Sequence, residues 1–154
     1  MSTVSARLAE LGIELPIVPA PLAAYVPAVR HGDMVYTSGQ LPLVDGALPQ
    51  TGIVGAGVSA EDATELARIC TLNALAAAAD VAGGVDKIER IVKVVGFVAS
   101  APDFTGQPAV VNGASVLLAE VFGENGQHAR AAVGVAALPN GAPVEVTIDV
   151  VVRD

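Results

Sequence analysis

The sequence predicts an α+β two-layer sandwich in the order β-β-α-β-α-β-β, preceded by a short helix. Three observations point to it. Two segments have helix caps and apolar residues at helical spacing, one ending near Ala82 and one beginning near Gln107-Pro108. The segments around them are short, rich in valine and isoleucine, and bounded by Gly and Pro. Helices that follow strands and pack on one side of a sheet leave its other face open. The length of 154 residues suits one domain over 1–154, with residues 1–20 as N-terminal helix and connector.

Taken in order, residues 2–12 form an amphipathic helix. Ser2 or Thr3 caps it, Val4, Leu8 and Leu11 share a face, and Gly12 ends it. Pro16 to Pro21 holds three prolines and is an extended connector. Tyr25–Arg30 and Met34–Ser38 are strands of a hairpin turning at His31-Gly32-Asp33. Gly39–Gly57, with five glycines and two prolines, is a loop with room for one short strand. Ser59 and Asp62 make a capping pattern for a helix that Gly83-Gly84 stops. Leu66, Ile69, Cys70, Asn73 and Ala77 lie on its inner face. Ile88–Ser100 is a nearly continuous apolar strand, as expected of one covered on both faces. In the second helix Val110, Ala114, Leu117, Leu118, Val121 and Phe122 form the buried stripe, and Gly123 ends it. The chain closes on two strands around Asn140-Gly141, expected to pair as a hairpin. In the last of them Val144, Val146, Ile148, Val150 and Val152 share one face, and Glu145, Thr147, Asp149 and Arg153 the other.

Composition narrows the function. Eight Lys and Arg against sixteen Asp and Glu give a net charge of −8, with no basic run to neutralise phosphates. A nucleic-acid partner is therefore not expected. The single cysteine, Cys70, excludes an intrachain disulfide and reads as a small core residue. Neither a signal peptide nor an apolar run of membrane length stands out, so a cytoplasmic protein with no membrane partner is the expectation. Hydrophobic residues make up 53 %, mostly Ala and Val, which suggests that part of the surface meets other subunits.

Most local motifs have ordinary explanations. Gly55-Ala56-Gly57-Val58-Ser59-Ala60 fits a loose dinucleotide pattern, but loop rather than strand precedes it. His31 and His128, the two histidines, lack the partners a zinc site needs. They read as a turn residue and a strand-entry residue, so no metal and no cofactor is expected. Arg130 is different. It stands at the head of an Ala/Val strand, where a cation needs an anionic partner. That partner is either a structural carboxylate or a substrate's. A hairpin turning at Asn140-Gly141 would put Arg130 opposite Val151 and Glu145 opposite Ala136, about 20 Å apart at ~3.3 Å per residue. Were both to serve one site, that site would lie between subunits.

Ala129-Arg130-x-x-Val133-x-Val135-x-x-Leu138-Pro139, followed by Val144-Glu145-Val146, resembles the Rid/YjgF family, often labelled endoribonuclease L-PSP. Thr37-Ser38-Gly39-Gln40-Leu41-Pro42, Asp103-Phe104 and Val111-Asn112 extend the match, which covers about residues 20–153. The resemblance implies a chorismate-mutase-like fold and a homotrimer with clefts between subunits. It implies a deaminase (a hydrolase) that converts small 2-enamine and 2-imine carboxylates to 2-oxo acids and ammonia. By it, Arg130 grips the substrate carboxylate and Glu145 holds the water. Tyr25, Ser38, Gly39 and Asn112 line the cleft. The partner so implied is a small carboxylate-bearing metabolite. The alternatives are a non-catalytic trimer that binds small carboxylates or a partner protein, and, against the charge balance, a ribonuclease. The chain departs from the best-known deaminating members at Ala132, where they have cysteine, and at His128, where they have proline. Two residues are also added around Thr105–Pro108, and the N-terminal helix is extra.

Overall fold

A computed structural model describes residues 2–18, 20 and 24–154. Of the expected connector, Pro19 and Pro21 lie outside the described residues. The elements are α1 (Val4–Glu10), β1 (Ala28–His31), β2 (Met34–Thr37), α2 (Ala60–Ala82), β3 (Ile88–Ala99), α3 (Gln107–Phe122), β4 (Ala129–Val135) and β5 (Val144–Val152). They form the expected α+β arrangement, with α2 and α3 on one face of a single five-stranded sheet.

Local chemistry sets most boundaries. Thr3 caps α1 by accepting from Ala6 N–H, and Ser59 caps α2 by accepting from Asp62 N–H. Gly83 closes α2 in a left-handed conformation. β1 starts later than Tyr25 because Pro27 has no N–H to give a ladder, while its carbonyl accepts from Ser38 N–H at 2.8 Å. The 39–57 loop holds no named strand, only isolated bridges such as Gln40 to Val146 and Val54 to Ser100. Buried Asn73 on α2 fastens this loop by donating to the Leu41 and Leu43 carbonyls at 3.0 and 3.1 Å.

The expected C-terminal hairpin does not form. The strand order is β1-β2-β5-β3-β4, so β3 lies between β4 and β5. β4 runs parallel to β3, with Val94 beside Arg130, and β5 runs antiparallel to it, with Phe97 beside Glu145. Two forces explain this. β3 buries Ile91, Val94 and Val98 and is long enough to serve two partners. A strand–helix–strand unit such as β3-α3-β4 also makes parallel neighbours. Asn140 and Gly141, both at positive φ, turn the chain around the end of β3 instead of folding β4 onto β5.

The core fills the helix side of the sheet. Val35, Val94, Val98, Val146, Ile148 and Val150 meet the alanine-rich half of α2, where Ala74 to Ala79 are all buried. The other side is open and mixes apolar side chains with the carboxylates of Glu145 and Asp149. Val29, Tyr36 and Val133 are exposed, and Val95 and Phe97 are half-buried. β3 is thus covered on one face within the chain, and not on both as its sequence suggested.

α2 and α3 touch closely at Gly113, where an added Cβ would overlap the Thr64 carbonyl oxygen. Gly113→Ala is expected to cost about 2–3 kcal/mol of stability through this overpacking, read as a lower midpoint in denaturant unfolding.

α1 packs Leu8 onto Leu117 and Val121 of α3. Ser5 fastens it through N–H and Oγ to the Asp86 carboxylate, at 2.8 and 2.7 Å, and these bonds hold the Asp86 pKa below its ordinary value.

Candidate functional site

The residues singled out in the sequence fall into two groups. The first lies on the helix side of edge strand β4. Arg130 is half-buried there, and its Nη1 donates to Asn112 Oδ1 at 2.8 Å and to Ser115 Oγ at 3.2 Å. Ala132, two residues along the same face, packs against the core. Among the described residues, the ion pairs are Arg7–Glu10, Arg30–Asp154 and Arg68–Glu65, so no carboxylate neutralises Arg130. Of the two partners expected for this cation, a structural carboxylate is absent among the described residues.

Ser115 was not singled out from the sequence. Its signal was its place one turn after Asn112 on α3, which puts both on the face toward β4. His128 joins the same group, with Nε2 2.8 Å from Ser115 Oγ and Nδ1 2.6 Å from the Gly126 carbonyl oxygen. It is therefore more than a strand-entry residue. Beside it a shallow groove of about 530 Å³, bordered by Arg90, Val92 and Gln127, opens at the start of β4.

The second group lies near the end of β2 and the start of β5. Ser38 Oγ donates to the Val26 carbonyl at 2.6 Å, and Tyr25, one residue earlier, is about half exposed. Gly39 makes room for Glu145, since a Cβ there would lie 2.5 Å from Glu145 Oε2. Glu145 is half-buried with no hydrogen-bond or ionic partner among the described residues, and burial raises its pKa above the ordinary 4.5. Burial likewise raises the Asp149 carboxyl on the same face, with Lys93 opposing the effect. Cys70 is fully buried and its thiol is pushed well above its usual range, which leaves it unreactive.

One chain cannot join the two groups, for a reason other than hairpin distance. Arg130 sits beside Val94 and Glu145 beside Phe97, three residues apart on β3. An odd separation sends the side chains to opposite faces. Two strand spacings of ~4.8 Å and about 10 Å along the strand separate them further.

Among the described residues no cluster of three His, Cys, Asp or Glu could hold a metal, and no helix is long and apolar enough to cross a membrane.

Comparison with known proteins places the chain. A family profile described as "YjgF/chorismate mutase-like, putative endoribonuclease" matches residues 5–147. Protein TCP17 of Trypanosoma cruzi is 46 % identical over 93 % of this chain and 90 % of its own. The crystal structure of Atu1372 from Agrobacterium tumefaciens, a protein of unknown function, is 46 % identical with a TM-score of 0.88, over 97 % of this chain and 92 % of that one. Escherichia coli TdcF, solved with bound serine, is 27 % identical with a TM-score of 0.61, over 89 % and 94 % of the two chains. The fold and these matches together show that the chain belongs to the Rid/YjgF family, with its chorismate-mutase-like fold.

Proposed function

We propose that this protein is a hydrolytic deaminase of small 2-enamine and 2-imine carboxylates. It acts as a homotrimer, each cleft combining the Arg130 side of one copy with the Glu145 side of its neighbour. The observation that supports this most is Arg130, a half-buried guanidinium whose partners among the described residues are neutral. Such a cation is completed by an anion from outside the chain. The serine bound to TdcF is an amino acid with a carboxylate, the ligand class such a site fits. The open sheet face, with Val29, Tyr36 and Val133 exposed, supplies a surface for the neighbouring copies.

The chemistry needs little beyond orientation. Arg130 holds the carboxylate and Asn112 holds Arg130. An enamine first takes a proton at carbon to become the iminium, and an imine reaches the same state by taking one at nitrogen. Water adds to the imine carbon, its proton passes to nitrogen, and the carbinolamine expels ammonia to leave the 2-oxo acid. Holding the reactants in line supplies most of the acceleration. Glu145, whose raised pKa makes it a better base than an exposed carboxylate, orients the water, takes its proton and passes it on to the nitrogen. Ala132 and Gly39 shape the cleft walls, and Tyr25 and Ser38 flank them.

Freshly generated 2-aminoacrylate tests this. Wild-type protein is expected to speed release of ammonia and 2-oxo acid, and equal rates with and without protein would sink the proposal. The alternative, a trimer that binds carboxylates without turnover, would show saturable binding and no release. The family description names an endoribonuclease, but a chain of net charge −8 without a basic patch lacks the electrostatics for RNA.

Glu145 also gives a stability test. Its folded pKa lies above its unfolded one, so the unfolded state holds the charge more easily. Folding stability therefore falls as pH rises from the ordinary value of 4.5 through the folded pKa. Glu145→Gln is expected to melt higher than wild type at pH 7, to lose that advantage below pH 4.5, and to be impaired in turnover. Thermal melts at the two pH values check it.

A further inference from the structure

We infer that Ser115 and His128 are positioning residues that fix which edge of Arg130 meets the carboxylate. The inference rests on the proposed role of Arg130 as carboxylate ligand.

The hydrogen bonds determine a direction. The Gly126 carbonyl can only accept, so His128 Nδ1 carries a proton and donates to it. In the neutral ring Nε2 then has a lone pair and accepts from the Ser115 hydroxyl. With its proton committed to His128, Ser115 Oγ presents lone pairs to Arg130. Nη1 has two hydrogens and two acceptors, Asn112 Oδ1 and Ser115 Oγ. Both hydrogens are thereby used. The free donors are Nε–H and Nη2, which lie on one side of the guanidinium and form a parallel fork matched to a carboxylate. The carboxylate is thus gripped side-on.

Without His128 the Ser115 proton is free to turn to a carbonyl one turn back along α3. The guanidinium then has one fixed partner in place of two. Proline at position 128, as in the deaminating members the sequence resembles, could not provide this relay.

Two substitutions separate this role from simple anchoring of the chain. Asparagine reaches the place of Nδ1 and can keep the bond to Gly126. Glutamine reaches the place of Nε2 and can keep the acceptor for Ser115. The experiment compares wild type, His128→Gln, His128→Asn and Ser115→Ala in two ways, with Arg130→Ala added to the second. One is ¹⁵N NMR of the His128 tautomer and the Arg130 guanidinium in the ligand-free protein. The other is titration with 2-oxobutanoate, a carboxylate of the product class.

In wild type His128 is expected as the Nδ1–H tautomer. Arg130 should rotate slowly in wild type and His128→Gln, and freely in His128→Asn and Ser115→Ala. The last two should bind 2-oxobutanoate roughly tenfold more weakly, the worth of about one hydrogen bond. Equal guanidinium dynamics in all four proteins would overturn the inference, as would an Asn variant that behaves as wild type beside an impaired Gln variant. The expected NMR pattern with no effect of Arg130→Ala on 2-oxobutanoate binding would defeat the carboxylate role of Arg130 and leave the hydrogen-bond relay standing.

Discussion

Arg130→Ala is expected to lower kcat/KM for 2-imino carboxylates by about 10²–10³-fold, while the melting temperature hardly moves. The activity loss follows from the proposed charge-assisted fork within the proposed cleft, where truncating one partner costs ~3–4 kcal/mol. The small stability change follows from the partners. Among the described residues Arg130 is bonded to Asn112 and Ser115, neutral groups beside solvent, and no carboxylate is stranded when it goes. Arg130→Lys should fall between the two, because an ammonium keeps the charge and loses the fork. Steady-state kinetics and thermal melts on the same preparations check both halves. Unchanged kinetics, or a large fall in melting temperature, would mean that Arg130 is a structural cation.

Phe97→Asp is expected to break the assembly and abolish activity together. Phe97 lies half-buried on the open sheet face, near the end of β3, flanked by Glu145 on β5 and Val133 on β4. A carboxylate there would enter the proposed interface once per copy, next to an existing one. Burying such a charge without a partner costs several kcal/mol each time. The isolated chain should still fold, because the core on the helix side does not include Phe97. Sedimentation should then show a species near the chain mass of 15.4 kDa with far-UV dichroism retained. A variant that stays assembled and active would place the contacts between copies elsewhere.

The sequence made the helices and individual strands legible because their signals are local. Ser59, Gly83 and Pro108 mark ends through hydrogen bonds and backbone angles within one turn. Alternation in Val144–Val152 identified its buried face correctly. Strand pairing was not legible, because it depends on competition between distant segments. Asn140-Gly141 has the chemistry of a tight hairpin, yet β3 offers β4 a better neighbour. That competition decides which face Arg130 occupies. The separation of Arg130 from Glu145 was anticipated, but its cause is strand order and side-chain parity rather than distance along a hairpin. Arg130 and Glu145 were visible as an isolated cation and a carboxylate in a motif. Ser115 was not, because a serine inside a helix is ordinary until a histidine thirteen residues later returns to it.

The proposed cleft needs Arg130 and Glu145 from different copies, and mixed trimers test that most directly. Arg130→Ala and Glu145→Gln are each to be inactivated forms, unfolded together in equal amounts, refolded, and assayed after mixed assembly is verified by mass. In a head-to-tail ring, random mixing leaves about a quarter of clefts with both residues intact, so about a quarter of wild-type turnover should return. No recovery in verified mixed trimers would place both residues in one chain's site, or remove one of them from the chemistry, and would contradict the account.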